Sequence, residues 1–175
     1  MAVSTTPGAR DVRLLRVVQL DASDAAIWGA RVATRGEWAV PGGFMFMDDD
    51  PAKLAGARRQ AFNSGFIGVE SFGWSTLVEV ALAGQTDLEQ VADALAAYFM
   101  AELGAPGPAE ARAAAASELD FARSLCDHPI GTLVTISRAA EDDGVVERFA
   151  TITPGRVSAP ARPIDLLGLM RERAG

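Results

Sequence analysis

The stretch Cys126-Asp127-His128-Pro129 holds the only cysteine and the only histidine of the chain, two residues apart. A thiolate beside an imidazole is a nucleophile and base pair, and both groups are metal ligands. A metal site needs three or four ligands, so Asp and Glu would have to supply the remainder. The stretch falls where a helix pattern ends and a strand pattern begins, a common position for functional loops. A helix C-terminus carries a negative partial charge, which opposes thiolate formation. The competing reading is a small buried Cys126 and a His128 that caps the last helix carbonyls. No residue is therefore assigned a catalytic role. Should the chain be an enzyme, Cys126, Asp127 and His128 are the candidates, acting on a small molecule.

Aromatic residues near glycines form the second group. The stretch Gly68-Val69-Glu70-Ser71-Phe72-Gly73-Trp74-Ser75-Thr76 mixes rings, hydroxyls and glycines as a small-molecule pocket does. With Trp38 and Phe66 it makes Trp38, Phe66, Phe72 and Trp74 the candidate ligand-binding residues. The same rings serve equally as packing at the edge of a core. Trp38-Ala39-Val40-Pro41-Gly42-Gly43 before a helix resembles the turn found in Nudix hydrolases. Those enzymes need several glutamates in the helix to hold divalent metals on a diphosphate. Here the helix reads Ala57-Arg58-Arg59-Gln60-Ala61-Phe62-Asn63-Ser64, with no acid. The similarity is that of a turn and not of a catalytic box. Asp48, Asp49 and Asp50 lack the alternation of a calcium loop and read as a helix cap with two solvated acids. Gly65-Phe66-Ile67-Gly68 lacks the basic neighbours of a nucleic-acid loop and reads as a helix end followed by a loop glycine. No metal and no cofactor is expected.

Composition narrows the classes further. Across 175 residues, 16 basic side chains face 23 acidic ones, for a net charge of −7. Nucleic acid demands a basic face, so it is not an expected partner. No basic run and no apolar run of about 20 residues occurs, so no membrane is expected either. The N-terminal residues lack the basic and apolar regions of a signal peptide. A lone cysteine suits a reducing compartment. These features predict a cytoplasmic protein, and the Ala- and Arg-rich, Lys-poor composition suggests a bacterial one. A protein partner or self-association is left open.

The elements that must position these residues follow from periodicity. Residues 12–20, 26–33 and 37–47 read as strands, the last broken by Pro41-Gly42-Gly43. Asp50-Pro51 opens a helix that Gly65 closes in the left-handed conformation. Residues 75–82 read as a strand. Thr86-Asp87-Leu88-Glu89 is a capping box that starts a helix over 86–103, and Pro108 starts a second one to about Leu125. Residues 132–138 and 145–152 form a hairpin around Asp142-Asp143-Gly144. The order β-β-β-α-β-α-α-β-β predicts an α+β fold, a mostly antiparallel sheet with helices packed on one face. Residues 11–153 form one domain, 1–10 a flexible tail, and 154–175 a linker plus a short C-terminal helix through Ile164, Leu167 and Met170.

The segments Gly36-Glu37-Trp38-Ala39-Val40-Pro41-Gly42, Ser64-Gly65-Phe66-Ile67-Gly68-Val69, Ser71-Phe72-Gly73-Trp74-Ser75-Thr76 and Ser124-Leu125-Cys126-Asp127-His128-Pro129 resemble a family of uncharacterised single-domain bacterial proteins. The resemblance covers the chain apart from its two tails. It brings no assigned activity with it. It implies an accessory role linked to the maturation of cofactor enzymes. The function expected from the sequence is therefore a non-catalytic accessory or binding protein, with the Cys126 and His128 enzyme as the alternative.

Overall fold

The computed structural model describes residues 11–153, so the tail expected at 1–10 and the linker and helix expected at 154–175 lie outside the described residues. Strand β1, Val12–Val17, buries Leu14 on one face and Leu15 and Val17 on the other, as a strand covered on both sides does. It pairs with β2, Trp38–Val40, and with β5, Val78–Ala83. Beyond β2 lie β3, Phe66–Gly68, and β4, Trp74–Ser75. Beyond β5 lie β6, Leu133–Glu141, and β7, Gly144–Ile152. The result is one seven-stranded sheet in the order β4-β3-β2-β1-β5-β6-β7, with every pairing antiparallel. The expected α+β class with an antiparallel sheet is what the chain adopts.

The element order departs from the expected one where local patterns compete. Residues 26–33 are not a strand. Asp24 and Trp28 are buried four residues apart, the helical spacing, and Ser23–Trp28 forms helix α1, with a 3-10 turn at Gly29–Arg31. The Asp21 carboxylate prepares that helix by accepting from the Ser23 N–H at 2.8 Å. The strand expected over 37–47 stops at Val40. Pro41 cannot donate to a ladder, Gly42 takes φ 78°, and Gly43–Phe46 turns into a 3-10 helix. Asp50 caps only a 3-10 turn, Pro51–Lys53, through the Ala52 N–H. Helix α2 begins after it, at Gly56–Ser64.

Gly65 is not left-handed at the end of α2. Its φ is −97°, and the chain passes straight into β3, so the segment read as a loop is sheet. Helix α3, Gln85–Glu102, starts one residue before the expected position, and Asp87, not Thr86, caps it by accepting from the Gly84 N–H at 2.7 Å. Helix α4, Pro108–Ser124, follows, and the two helices pack along each other, with α4 against β1 and β2. The hairpin turns at Asp142-Asp143.

The sheet curls back on itself. Along its order β6 is separated from β2 by two strands, yet Arg138 of β6 donates to the carbonyl of Pro41, the residue after β2. Phe149 of β7 likewise comes within 6.4 Å, ring to ring, of Phe66 on β3. The curl places the hairpin beside the Pro41-Gly42-Gly43 turn and the end of α2.

Candidate functional site

Cys126 sits just past α4, buried, and its thiol donates to the Ala122 carbonyl at 3.4 Å. Burial pushes the thiol up to about 12, with Arg13 and Arg123 only partly opposing that shift. A thiol in that state is protonated near neutrality and hidden from reagents. The backbone carbonyl of His128 accepts from Arg13 Nη1 at 2.5 Å, while Asp127 is exposed. Cys126 and His128 stand near each other in the chain with no hydrogen bond between their side chains. Among the described residues no group of three or more His, Cys, Asp or Glu side chains is arranged to hold a metal ion. In the acidic cluster, Asp49 pairs with Arg58 at 2.6 Å, Asp50 serves as a cap, and Asp48 is exposed.

The four aromatic candidates divide. Phe66 and Trp74 lie in the core, Trp74 stacked on Phe46 at 5.2 Å. Trp38 is half-buried, and its indole N–H donates to Asp87 of α3 at 3.3 Å. Phe72 is different. It is the one non-glycine residue in the left-handed region among the described residues, at φ 50°. A bulky side chain in that region is strained, and such strain concentrates at functional sites. The strain turns the Phe72 ring flat onto Tyr98 of α3, with centroids 4.1 Å apart and planes 11° from parallel. Phe44 leans on the same tyrosine at 6.3 Å.

The surroundings of this stack are cationic and soft. Burial raises the Tyr98 hydroxyl above its ordinary value, and Glu102 adds to the rise, while Arg58 and Arg31 act against it. The Arg58 guanidinium is held by Asp49 and the Met45 carbonyl. Arg31 is exposed and makes no ion pair among the described residues. Met45 is half-buried beside Phe44, and Met47 is 75% exposed.

Two further charges are buried. Glu37 accepts from the N–H groups of Thr34, Glu70 and Ser71 and from the Ser71 hydroxyl, at 2.6 to 3.0 Å. A Cβ at Gly68 would overlap this carboxylate, which accounts for glycine there. Arg138, 3% exposed, donates to Gly65 at 2.8 Å and to Phe62 and Ala61 at 3.2 and 3.3 Å, closing the C-terminus of α2. Its Nε lies 3.6 Å from Glu147 Oε2, and both atoms are buried without a hydrogen bond. Glu118 of α4 completes the cluster by accepting from the Gly42 N–H at 3.0 Å. Burial raises Glu118, helped by Glu147, against the pull of the Gly42 N–H and Arg138.

The pattern reading missed Arg138, although a signal was present. Val134, Ile136 and Arg138 share one parity in β6, so the charge must point where the apolar residues point. A Cβ at Gly43 would come within 2.8 Å of Glu147 Oε1, and one at Gly65 within 2.7 Å of the Ala61 carbonyl. The glycines of the Nudix-like turn and of the helix end thus admit the Arg138 cluster.

Residues 12–161 match DUF6505, a family of unknown function. The chain belongs to DUF6505. No curated protein and no solved structure matches it. In this DUF6505 chain the matched range contains the stacked aromatics, the Arg138 cluster and the Cys126 loop.

Proposed function

We propose that this chain is a non-catalytic accessory protein of the bacterial cytoplasm that binds a protein partner through the face formed by Phe44, Phe72 and Tyr98. The observation that carries the reading is the left-handed Phe72, held in a strained backbone to lay its ring on Tyr98. Strain of this kind costs on the order of 1–3 kcal/mol, and nothing in the core requires it, because Phe72 is only half-buried. Aromatic rings, methionines and arginines at one place are the composition of a protein-binding surface. Arg31 offers a guanidinium for a carboxylate on the partner. The sequence resemblance adds the maturation of cofactor enzymes as the setting. The state of Cys126 supports the same side, since a thiol near 12 is a poor nucleophile.

The test is capture from the native host, followed by reconstitution with the purified captured protein. The wild-type chain should retain one protein in a fixed ratio. Phe72→Ala and Arg31→Ala should each weaken that binding at least tenfold, while Cys126→Ala leaves it unchanged. Equal binding by the wild type and both face variants overturns the assignment of the face. Labelling of native Cys126 by iodoacetamide below pH 7, together with loss of a turnover on its substitution, restores the enzyme reading.

A further inference from the structure

We infer that the apolar run Ile164–Met170 of the same chain docks on an exposed patch made by Leu82 and Ile130. On β5 the residues Val78, Val80 and Leu82 share one face. Val78 and Val80 are fully buried, whereas Leu82 is 56% exposed, so the apolar stripe of the core runs on past what covers it. Ile130, 46% exposed, stands beside that uncovered end. It occupies the corner of a turn closed by the Thr132 N–H on the Pro129 carbonyl at 3.1 Å, with Gly131 at φ 87°. The turn is pinned to β5 by the Gly131 N–H on the Val80 carbonyl at 2.8 Å. It is pinned to β1 by Arg13, which pairs with Leu82 in register and donates to the His128 carbonyl.

The occupant follows from where the chain leaves this end of the sheet. Ile152, the last residue of β7, pairs with Leu133, three residues from Ile130. The sequence beyond carries Ile164, Leu166, Leu167, Leu169 and Met170. The ten intervening residues, 154–163, reach at most about 33–36 Å when extended. A tether that short holds the run at high effective concentration over the nearest uncovered apolar surface. The other exposed apolar side chains are farther away. Val145 lies at the opposite end of the hairpin. Met100 and Leu103 lie at the far end of α3, whose start adjoins β5 and whose length is about 27 Å. A run this short does not hold a helix alone in water, so docking is what gives it a defined place. This inference does not rest on the proposed binding face and fails or stands apart from it.

Hydrogen exchange followed by mass spectrometry on the full chain tests it. Residues 164–170 should exchange at least tenfold more slowly than a free peptide of the same sequence. In the full-length variant Leu167→Asp/Leu169→Asp, residues 80–83 and 128–133 should lose protection, with the hairpin turn at 141–146 unchanged as the internal control. The reciprocal variant, Leu82→Asp/Ile130→Asp, should release 164–170. Free-peptide exchange of 164–170 in the wild type overturns the inference, without reference to any variant. Protection that fades on dilution assigns the patch to a second copy and also overturns it.

Discussion

Glu37 and Arg138 are both charges inside the sheet, and they are satisfied in opposite ways. Glu37 is served by neighbours it can nearly reach alone: the turn at Thr34 and the Glu70-Ser71 turn between β3 and β4. Its oxygens take four donors, so its charge is spread over backbone dipoles and one hydroxyl. Arg138 gathers carbonyls from Pro41, from the end of α2 and from Gly65, segments more than 70 residues away in the chain. It leaves Nε and a Glu147 oxygen unbonded. The first charge shapes a loop. The second holds the curl of the sheet, because it ties the β6–β7 hairpin to the opposite end of the strand order. A buried charge whose partners are local is a turn device, and one whose partners are distant is a tertiary fastener.

The comparison breaks most severely at Arg138. Arg138→Met leaves Glu118 and Glu147 without their cation and three carbonyl groups of α2 and Gly65 without a donor. Removing one partner of a buried ionic cluster costs about 3–5 kcal/mol. Urea unfolding followed by tryptophan fluorescence should show that loss, and Arg138→Lys should not recover it, because a point charge cannot serve the carbonyls and Glu147 together. A cost below about 1 kcal/mol would remove the fastener role.

Glu37→Gln should cost less, about 1–3 kcal/mol, since the amide retains one acceptor but turns an NH2 toward backbone donors. Gly68→Ala should match it, as the added methyl overlaps the carboxylate. The combination should cost less than the sum, because both act on one group. Strict additivity in the double-mutant cycle would separate the two residues.

Glu118 sharpens the comparison through pH. Its folded value lies above its ordinary one, chiefly through burial. The folded state therefore binds the proton more tightly than the unfolded chain does, and this contribution to stability grows as pH falls through the raised value. It is complete below the ordinary carboxylate range and absent at alkaline pH. Relative to Glu118→Gln, the wild type should gain stability between pH 7.5 and 5, with the two curves parallel above pH 8. Parallel curves over the entire range would show that Glu118 stays ionised.

The smallest effect is expected at Cys126. Cys126→Ala removes one buried sulfur and a weak donor, worth about 1 kcal/mol. Iodoacetamide should leave the native thiol unmodified at pH 7 and label it in denaturant.

Periodicity and capping chemistry by themselves determined the antiparallel class, both long helices and the hairpin, because their contacts are local and their signals long. The lone Cys beside the lone His also stood out by type alone. The failures share a cause. Residues 26–33 fit a period of two, and only the burial of Asp24 with Trp28 showed the helical period. The Gly65–Gly68 run was indistinguishable from a loop because three-residue strands carry no periodicity of their own, and pairing with β2 and β4 makes them sheet. Phe72 was singled out by composition, but its left-handed backbone and its stacking on Tyr98 depend on α3 passing beneath it. Arg138 was invisible as a hub because its partners lie on other elements, and closure of the sheet brings them within hydrogen-bonding distance. Local propensity selects elements; curvature of the sheet decides which side chains meet, and the meeting places are where this chain keeps its buried charge and its strained aromatic.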